Sequence, residues 1–189
     1  TRCESCQEAL SILPILKDYD LEGVELDNQL NLFLRLGYQE ATMDARKEGL
    51  ESLIGKTLTK KIGEHEQDLW KSIKAFKWAQ DSQALFKVAT HPNSALSILN
   101  AIQSEDWTMH LTNGGKSLYL SSPGDDNAAR LDEVLQAQGL TGLQINGPVH
   151  SHPLIGNTSS LLFIERIQNA LDPEKRFLNF SPSNSEVAS

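Results

Sequence analysis

Two cysteines three positions apart stand at the start of the sequence. Cys3 and Cys6 form a CxxC in "TRCESCQEAL", and this spacing suits a pair of zinc ligands or a redox dithiol. They are the only cysteines of the chain, so no second pair completes a four-thiolate zinc site. The pattern also predicts no strand before them, which a redox CxxC would need. We interpret both as ordinary thiols in the first turn of a helix.

Two histidines in "PVHSHPLIG" are the next candidates for chemistry. His150 and His152 would project from the same side of a strand, where they could bind a metal or act as a general base. Pro148 and Pro153 favour a loop instead, and no third ligand lies nearby in the sequence. We therefore predict surface histidines and no metal site.

Charge and composition limit the possible partners. The chain has 189 residues and a net charge of -8, whereas a protein that binds nucleic acid needs a clustered excess of Lys and Arg. No apolar run reaches the roughly 20 residues of a membrane-spanning helix, and the first residues contain no signal-peptide core. The sequence predicts a cytoplasmic protein that does not bind nucleic acid and has no transmembrane segment.

Apolar periodicity and breaker residues predict the elements that would position these groups. "NGGK" between two of the strands is a hairpin signal, and the aromatic residues Trp70, Phe76 and Trp78 are expected to form a helix-on-sheet core. The predicted helices cover residues 4–17 with an interruption at Pro14, 40–54, 66–76, 93–102, 125–138 and 158–171. The predicted strands cover residues 24–27, 31–37, 57–62, 84–90, 107–112, 117–122 and 141–146.

The order of these elements predicts an α+β fold. Residues 84–146 follow the order β-α-β-β-α-β, which is the ferredoxin-like or split βαβ unit. Residues 4–62 follow α-β-β-α-β, the same unit without its first strand. We therefore expect two ferredoxin-like subdomains in tandem, over residues 1–80 and 81–171, with helices on one side of an antiparallel sheet and a tail over residues 172–189. The chain is then expected to be cut from a longer protein.

Several stretches, taken in order, resemble one family of flavoproteins. The chain is similar to the C-terminal region of the FAD-binding E subunit of bacterial glycolate oxidase, within the vanillyl-alcohol-oxidase-like group of FAD-linked oxidases. That region is itself a pair of ferredoxin-like halves. The resemblance covers nearly the whole chain and depends on "LNLFLRLGYQEA", "EQDLWKSIKAF", "ALFKVATHPNSA", "WTMHLTNGGKSLYL", "GLQINGPV" and "RIQNALDPEKRFLNF".

The resemblance implies a cap, or substrate, domain of a 2-hydroxy-acid (glycolate) oxidase subunit. It also implies that FAD is bound mainly by a missing N-terminal domain, that other glycolate oxidase subunits are partners, and that the fragment is inactive alone. The residues agree in one respect, because no GxGxxG or GxxxxGK phosphate cradle occurs in the sequence. In such an enzyme the flavin performs the hydride chemistry, and the protein orients the substrate.

Three residues are candidates for the site that the resemblance implies. Lys87 lies in a strand where the family often carries Arg, and Arg35 lies within the apolar strand "NLFLRLG"; either cation could anchor a substrate carboxylate. Asn179 is the candidate flavin neighbour after the final helix, although "NFSPS" departs from the Asn-Pro-Gly of the family. The alternatives are exposed strand positions for the two cations and a solvated tail for Asn179. The catalytic residues stay unassigned.

A second function class remains open at this point. Ferredoxin-like architecture serves many unrelated functions, so the alternative is a tandem ferredoxin-like module that binds or interacts without enzymatic activity. The sequence upstream of Thr1 separates the two classes. A flavin domain there favours the oxidase, and a start codon directly before Thr1 excludes it.

Overall fold

Seven strands form one antiparallel sheet in the order β2-β1-β4-β5-β3-β6-β7 in the computed structural model of the chain. The strands are β1 (Gly23–Asp27), β2 (Leu32–Arg35), β3 (Ala84–Ala89), β4 (Thr108–Thr112), β5 (Ser117–Ser122), β6 (Thr141–Asn146) and β7 (Leu154–Gly156). The structure describes residues 1–37, 39–102, 106–122, 124, 127–148, 153–159, 161–174 and 176.

Six α-helices accompany the sheet within this part of the chain. A side-chain cap begins the first of them, since the Ser5 hydroxyl accepts a hydrogen bond from the Glu8 N–H at 3.1 Å. The second ends at Gly55, whose φ of 68° is the left-handed conformation of a helix C-terminus. The helices are α1 (Cys6–Ile12), α2 (Glu40–Ile54), α3 (Glu64–Lys74), α4 (Pro92–Ala101), α5 (Asn127–Ala137) and α6 (Leu161–Leu171).

One face of the sheet packs on the main hydrophobic core. Alternate strand residues such as Phe86, Leu111 and Leu120 are fully buried and contact buried residues of the helices, including Ile98 and Leu135. Complete burial of a side chain of this size stabilises the fold by about 1.5–3 kcal/mol relative to exposure. We call this side of the sheet the core face.

The opposite face is covered in part by α3, so the expectation of helices on one side only is wrong. Trp70 of α3 lies against Arg35 and against the position that a Cβ on Gly23 would take. Both strand residues point away from the core face, because they alternate with Val24 and Leu34. The physical reason is that α3 is amphipathic. Its apolar residue Trp70 is buried against the side of the sheet that the main core leaves uncovered.

Most of the predicted elements are present. The tight reversal at "NGGK" is confirmed, since Asn113, Gly114 and Gly115 all have positive φ. The first helix is shorter than expected: α1 ends at Ile12, and a 3₁₀-helix follows Pro14 over Ile15–Asp18. The short strand β7, which begins directly after Pro153, was not predicted.

The strand predicted over residues 57–62 is wrong, because this segment is irregular. An extended segment becomes a strand only when a neighbour supplies a ladder of hydrogen bonds, and none of the described residues pairs with it in this way. The first half therefore contributes only the β1–β2 hairpin, which joins β4 of the second half in the same sheet. The fold is α+β and its sheet is antiparallel, as expected. A tandem of two ferredoxin-like subdomains is not confirmed.

Candidate functional site

Three polar side chains stand in one row across neighbouring strands. Lys87 of β3 lies opposite Tyr119 of β5, and Tyr119 lies opposite His110 of β4. Directly opposed residues project from the same face of a sheet, and here that face is the one turned away from the core. We call this row, with Glu25 of β1 and the aromatic residues that cover it, the aromatic face.

Lys87 is the exposed end of the row. Its ammonium nitrogen lies 5.6 Å from the centroid of the Tyr119 ring, a distance at which a cation is attracted to an aromatic face. Among the described residues its side chain forms no ion pair, in contrast to Lys47, Lys56 and Lys60. Within that part of the chain, no acidic side chain uses its three N–H donors.

His110 and Glu25 form a buried polar pair next to Tyr119. His110 is only 2% exposed, and its Nε2 lies 2.9 Å from Glu25 Oε2, where the ring N–H donates to the carboxylate. The Trp78 ring stacks on the imidazole at 5.4 Å with an interplanar angle of 20°. This arrangement keeps the His110 ring in one orientation and withdraws it from solvent.

Phe76 and Trp78 cover the middle of the row. Phe76 contacts the Tyr119 ring at 5.2 Å between centroids. The helix-on-sheet core expected of Trp70, Phe76 and Trp78 is found only in part, because Phe76 and Trp78 follow the end of α3 and all three lie outside the main hydrophobic core. Phe76 adopts a φ of 51°, which is unusual for a bulky residue and costs on the order of 1–3 kcal/mol. Trp78 Nε1 is buried without a hydrogen-bond partner among the described residues. The segment from Phe76 to Trp78 therefore keeps its position on the sheet despite an unfavourable backbone conformation and a buried N–H group.

Arg35 lies on the same side of the sheet but in a different setting. Its Nε is 2.9 Å from Glu66 Oε1 and 3.6 Å from Glu22 Oε2, and its guanidinium lies 5.4 Å from the centroid of the Trp70 ring. Four strand spacings separate β2 from β3, which is about 19 Å. The structure therefore does not bring Arg35 and Lys87 together on one small substrate.

The two cysteines lie on either side of the helix cap. Cys3 is buried in the core, and Cys6 is the first residue of α1. Burial, and after it the charge of the neighbouring Cys3, raises the pKa of the Cys6 thiol from 9.0 to about 11. Burial also raises the pKa of Cys3. A reactive dithiol needs a lowered pKa, so these thiols are not prepared for redox chemistry.

Three candidates from the sequence lie outside the described residues: His150, His152 and Asn179. Within the described part of the chain, no group of three or more His, Cys, Asp or Glu side chains could hold a metal ion. In the same part, every helix is too short or too polar to cross a bilayer.

Sequence reasoning placed Lys87 on a polar strand face but missed its neighbours. His110 and Glu25 are separated by 85 positions in the chain, and only the pairing of β1 with β4 brings them together. The local alternation of β4 could have shown that His110 points away from the core. Nothing in the sequence around either residue indicates the contact.

No protein-family model and no curated protein matches the sequence.

Proposed function

We propose that the chain is the cap domain of an FAD-dependent 2-hydroxy-acid oxidase of the glycolate oxidase type, and that Lys87 binds the substrate carboxylate. The observation that carries the proposal is the exposed ammonium of Lys87, which has no acidic partner among the described residues and lies beside the ring of Tyr119. The resemblance in the sequence supplies the reaction class.

The surroundings of Lys87 suit a small organic anion. A charge-assisted hydrogen bond is shorter and stronger than a neutral one, and the rings of Tyr119 and Phe76 lower the local polarity on one side. Beyond β5 the face is not covered by α3, and Lys87 and Ala89 of β3 are exposed there. A second domain placed over this region would enclose a substrate between itself and Lys87.

The described residues do not fit the pyrophosphate of FAD. The one glycine pair, Gly114–Gly115, lies in the β4–β5 turn, and a Cβ on Gly115 would lie 3.0 Å from Leu13 and 3.1 Å from Pro92. This turn is packed against the protein and offers no cradle for a phosphate. In the proposed enzyme, FAD is therefore bound by another part of the oxidase, and this chain binds and orients the substrate together with partner subunits.

The experiment is a kinetic comparison in the complete, assembled enzyme. Replacing Lys87→Met removes a hydrogen bond to a charged group, which contributes on the order of 1.5–3 kcal/mol. We expect kcat/KM for glycolate to fall roughly 10- to 100-fold while the flavin content stays unchanged. Lys116→Met is the matched control, because Lys116 is an exposed lysine at the far end of the β4–β5 turn.

Two results would contradict the proposal. A Lys87→Met enzyme with the kcat/KM of the unchanged enzyme removes Lys87 from the substrate site. If the complete polypeptide binds no flavin and oxidises no 2-hydroxy acid, the protein is not an oxidase of this type.

A non-enzymatic binding module is the second candidate function. The observation that favours it is a groove of about 760 Å³ beside the outer edge of β2, since an exposed sheet edge can bind an extended peptide. The two ferredoxin-like units expected from the sequence would then be a scaffold for this edge. A protein without oxidase activity that still binds a peptide there would support this candidate.

A further inference from the structure

The groove beside β2 has the shape of a vacant strand position. Residues 32–36 line one side of it and residues 58–63 line the other. Met43 and Leu50 of α2 close it from the core side, and Trp70 of α3 closes it from the opposite side. The groove therefore lies beside the edge of the sheet, between β2 and an irregular segment, with a helix on either side.

The far wall of the groove is held in place by bonds to α2. The Leu58 N–H donates to Glu51 Oε1 at 2.6 Å, and Lys60 Nζ lies 2.7 Å from Asp44 Oδ1. Because these contacts keep residues 58–63 apart from β2, the wall does not itself pair with the strand. Because residues 58–63 bound the groove on the side opposite β2, the groove has room for one strand but not for the edge of another sheet.

The first residues of the chain already begin to occupy this position. Arg2 forms an antiparallel bridge with Asn31, Cys3 N–H donates to the Leu30 carbonyl at 2.8 Å, and Leu32 N–H donates to the Thr1 carbonyl at 2.7 Å. The Thr1 amino group donates to the Leu32 carbonyl at 3.1 Å. The segment thus runs antiparallel to β2 and points into the groove.

The next backbone groups along this edge that have no partner in the described part of the chain belong to Leu34. In an antiparallel strand the N–H and C=O groups of alternate residues point to the same neighbour. The groups of Leu32 point towards Thr1, so those of Leu34 point into the groove, whereas those of Phe33 point towards Glu25 of β1.

We infer that the groove accepts one further strand, antiparallel to β2, formed by the residues joined directly to the amino end of Thr1 in the complete polypeptide. The inference shares with the proposed function only the premise that the polypeptide continues upstream of Thr1. It does not require oxidase activity. Continuity with Thr1 sets the register, because Thr1 lies opposite Leu32. The second residue upstream of Thr1 then lies opposite Leu34 and faces Met43 and Leu50, so we expect it to be apolar.

Amide hydrogen exchange tests the inference without reference to catalysis. The Leu34 amide should exchange quickly in the 189-residue chain and at least about 100-fold more slowly in the complete polypeptide, where a new strand would pair with it. The Phe33 amide is the internal control, because its bond to β1 should protect it in both proteins. Proline at the second residue upstream of Thr1 should return the Leu34 amide to fast exchange, whereas alanine there should not.

Each other outcome overturns the inference. Fast exchange of the Leu34 amide in the complete polypeptide shows that the groove stays empty. Protection that rises with the concentration of the 189-residue chain alone assigns the groove to a second copy. A reading frame that starts at Thr1, or a charged residue opposite Leu34, excludes the upstream strand. Failure of the Lys87 experiment leaves this result unaffected, so the two proposals can be separated.

Discussion

The contact between Glu25 and His110 shows how one buried side chain depends on another. His110 is almost completely buried, and Glu25 Oε2 is the polar partner that accepts its ring N–H. When a buried donor loses its partner, the loss of stability exceeds the net contribution of the hydrogen bond, because the donor cannot bond to water instead. The pair therefore has a larger effect on stability when it is half removed than when it is removed completely.

We expect Glu25→Leu to lower the free energy of unfolding by about 1–3 kcal/mol. Glu25→Gln should lower it less, because the amide oxygen still accepts the hydrogen bond. Urea unfolding of the single variants and of the double variant with His110→Phe completes a double-mutant cycle. Glu25→Leu should be nearly neutral in the His110→Phe background, and an equal loss in both backgrounds would refute the dependence on His110.

The raised pKa of Cys6 leads to a second prediction for a single residue. With a pKa of about 11 in the folded chain and an ordinary value of 9.0, the thiolate fraction at pH 8 is about 100-fold lower than in the unfolded chain. Alkylation of Cys6 by iodoacetamide should be slower by about this factor in the native protein than in urea, as measured by mass spectrometry.

The same shift in pKa predicts the direction of a pH effect on stability. The contribution of Cys6 to the free energy of unfolding is fully present below pH 9 and is lost as the pH rises towards 11. The reason is that the thiol of the unfolded chain releases its proton at a lower pH than the thiol of the folded chain. Cys6→Ala should remove this part of the pH dependence. Equal alkylation rates in the folded and unfolded chains would show that burial does not protect the thiol.

At the level of elements, the local pattern was sufficient for strands β3 to β6 of the second half and for the tight hairpin between two of them. The alternating apolar residues of β3 and β5 and the glycine turn of the β4–β5 hairpin were predicted correctly. The segment over residues 57–62 has similar alternation and is irregular, because strand formation depends on a neighbour that the local sequence does not specify. The second covered face of the sheet was missed for the same reason, since α3 and β1 meet only in the tertiary structure.

Glycine substitutions test what positions β7 at the sheet edge. Gly156 has a φ of +80°, and a Cβ there would lie 2.5 Å from Leu135 Cβ and closer still to the Leu140 carbonyl oxygen. Gly55 after α2 has a similar φ of +68° with nothing within 4 Å. Gly55→Ala should therefore cost only the strain of the left-handed conformation, about 1–2 kcal/mol. Gly156→Ala adds a steric clash and should cost about 2–5 kcal/mol.

The comparison is made by urea unfolding of the two alanine variants under the same conditions. Because both glycines have positive φ, the difference between the variants measures the close approach of β7 to α5 and its following turn. If both variants lose the same free energy of unfolding, β7 moves away from α5 at little cost.

At the scale of the whole molecule, the limits of sequence reasoning follow from long-range contacts. Lys87 could be predicted as an exposed cation because its setting is local to β3. The covering of the aromatic face by Trp78 and the pairing of Glu25 with His110 depend on how separate segments meet on one sheet. The order of elements predicted a first half without its first strand, and the groove beside β2 became visible only in three dimensions.

The last prediction concerns the outer surface of α6. Phe163, Ile167 and Leu171 recur every four residues along this helix and are 65%, 42% and 80% exposed, so they form one apolar stripe. Exposed apolar surface of this kind favours association, whereas the net charge of -8 opposes it. We expect the 189-residue chain to be monomeric at low ionic strength and to self-associate at high ionic strength, where repulsion is screened.

Sedimentation velocity at ionic strengths of about 0.01 M and 1 M, with Debye lengths of about 30 Å and 3 Å, tests this balance. The double variant Phe163→Ser with Leu171→Ser should remain monomeric in both conditions, because it removes the two most exposed members of the stripe. Leu53→Ser is the matched control, since Leu53 is an exposed apolar residue on α2 and should leave the association unchanged. If the unchanged chain stays monomeric at high salt, the stripe is too small to overcome the loss of translational freedom on association, and α6 needs no partner to be stable in water.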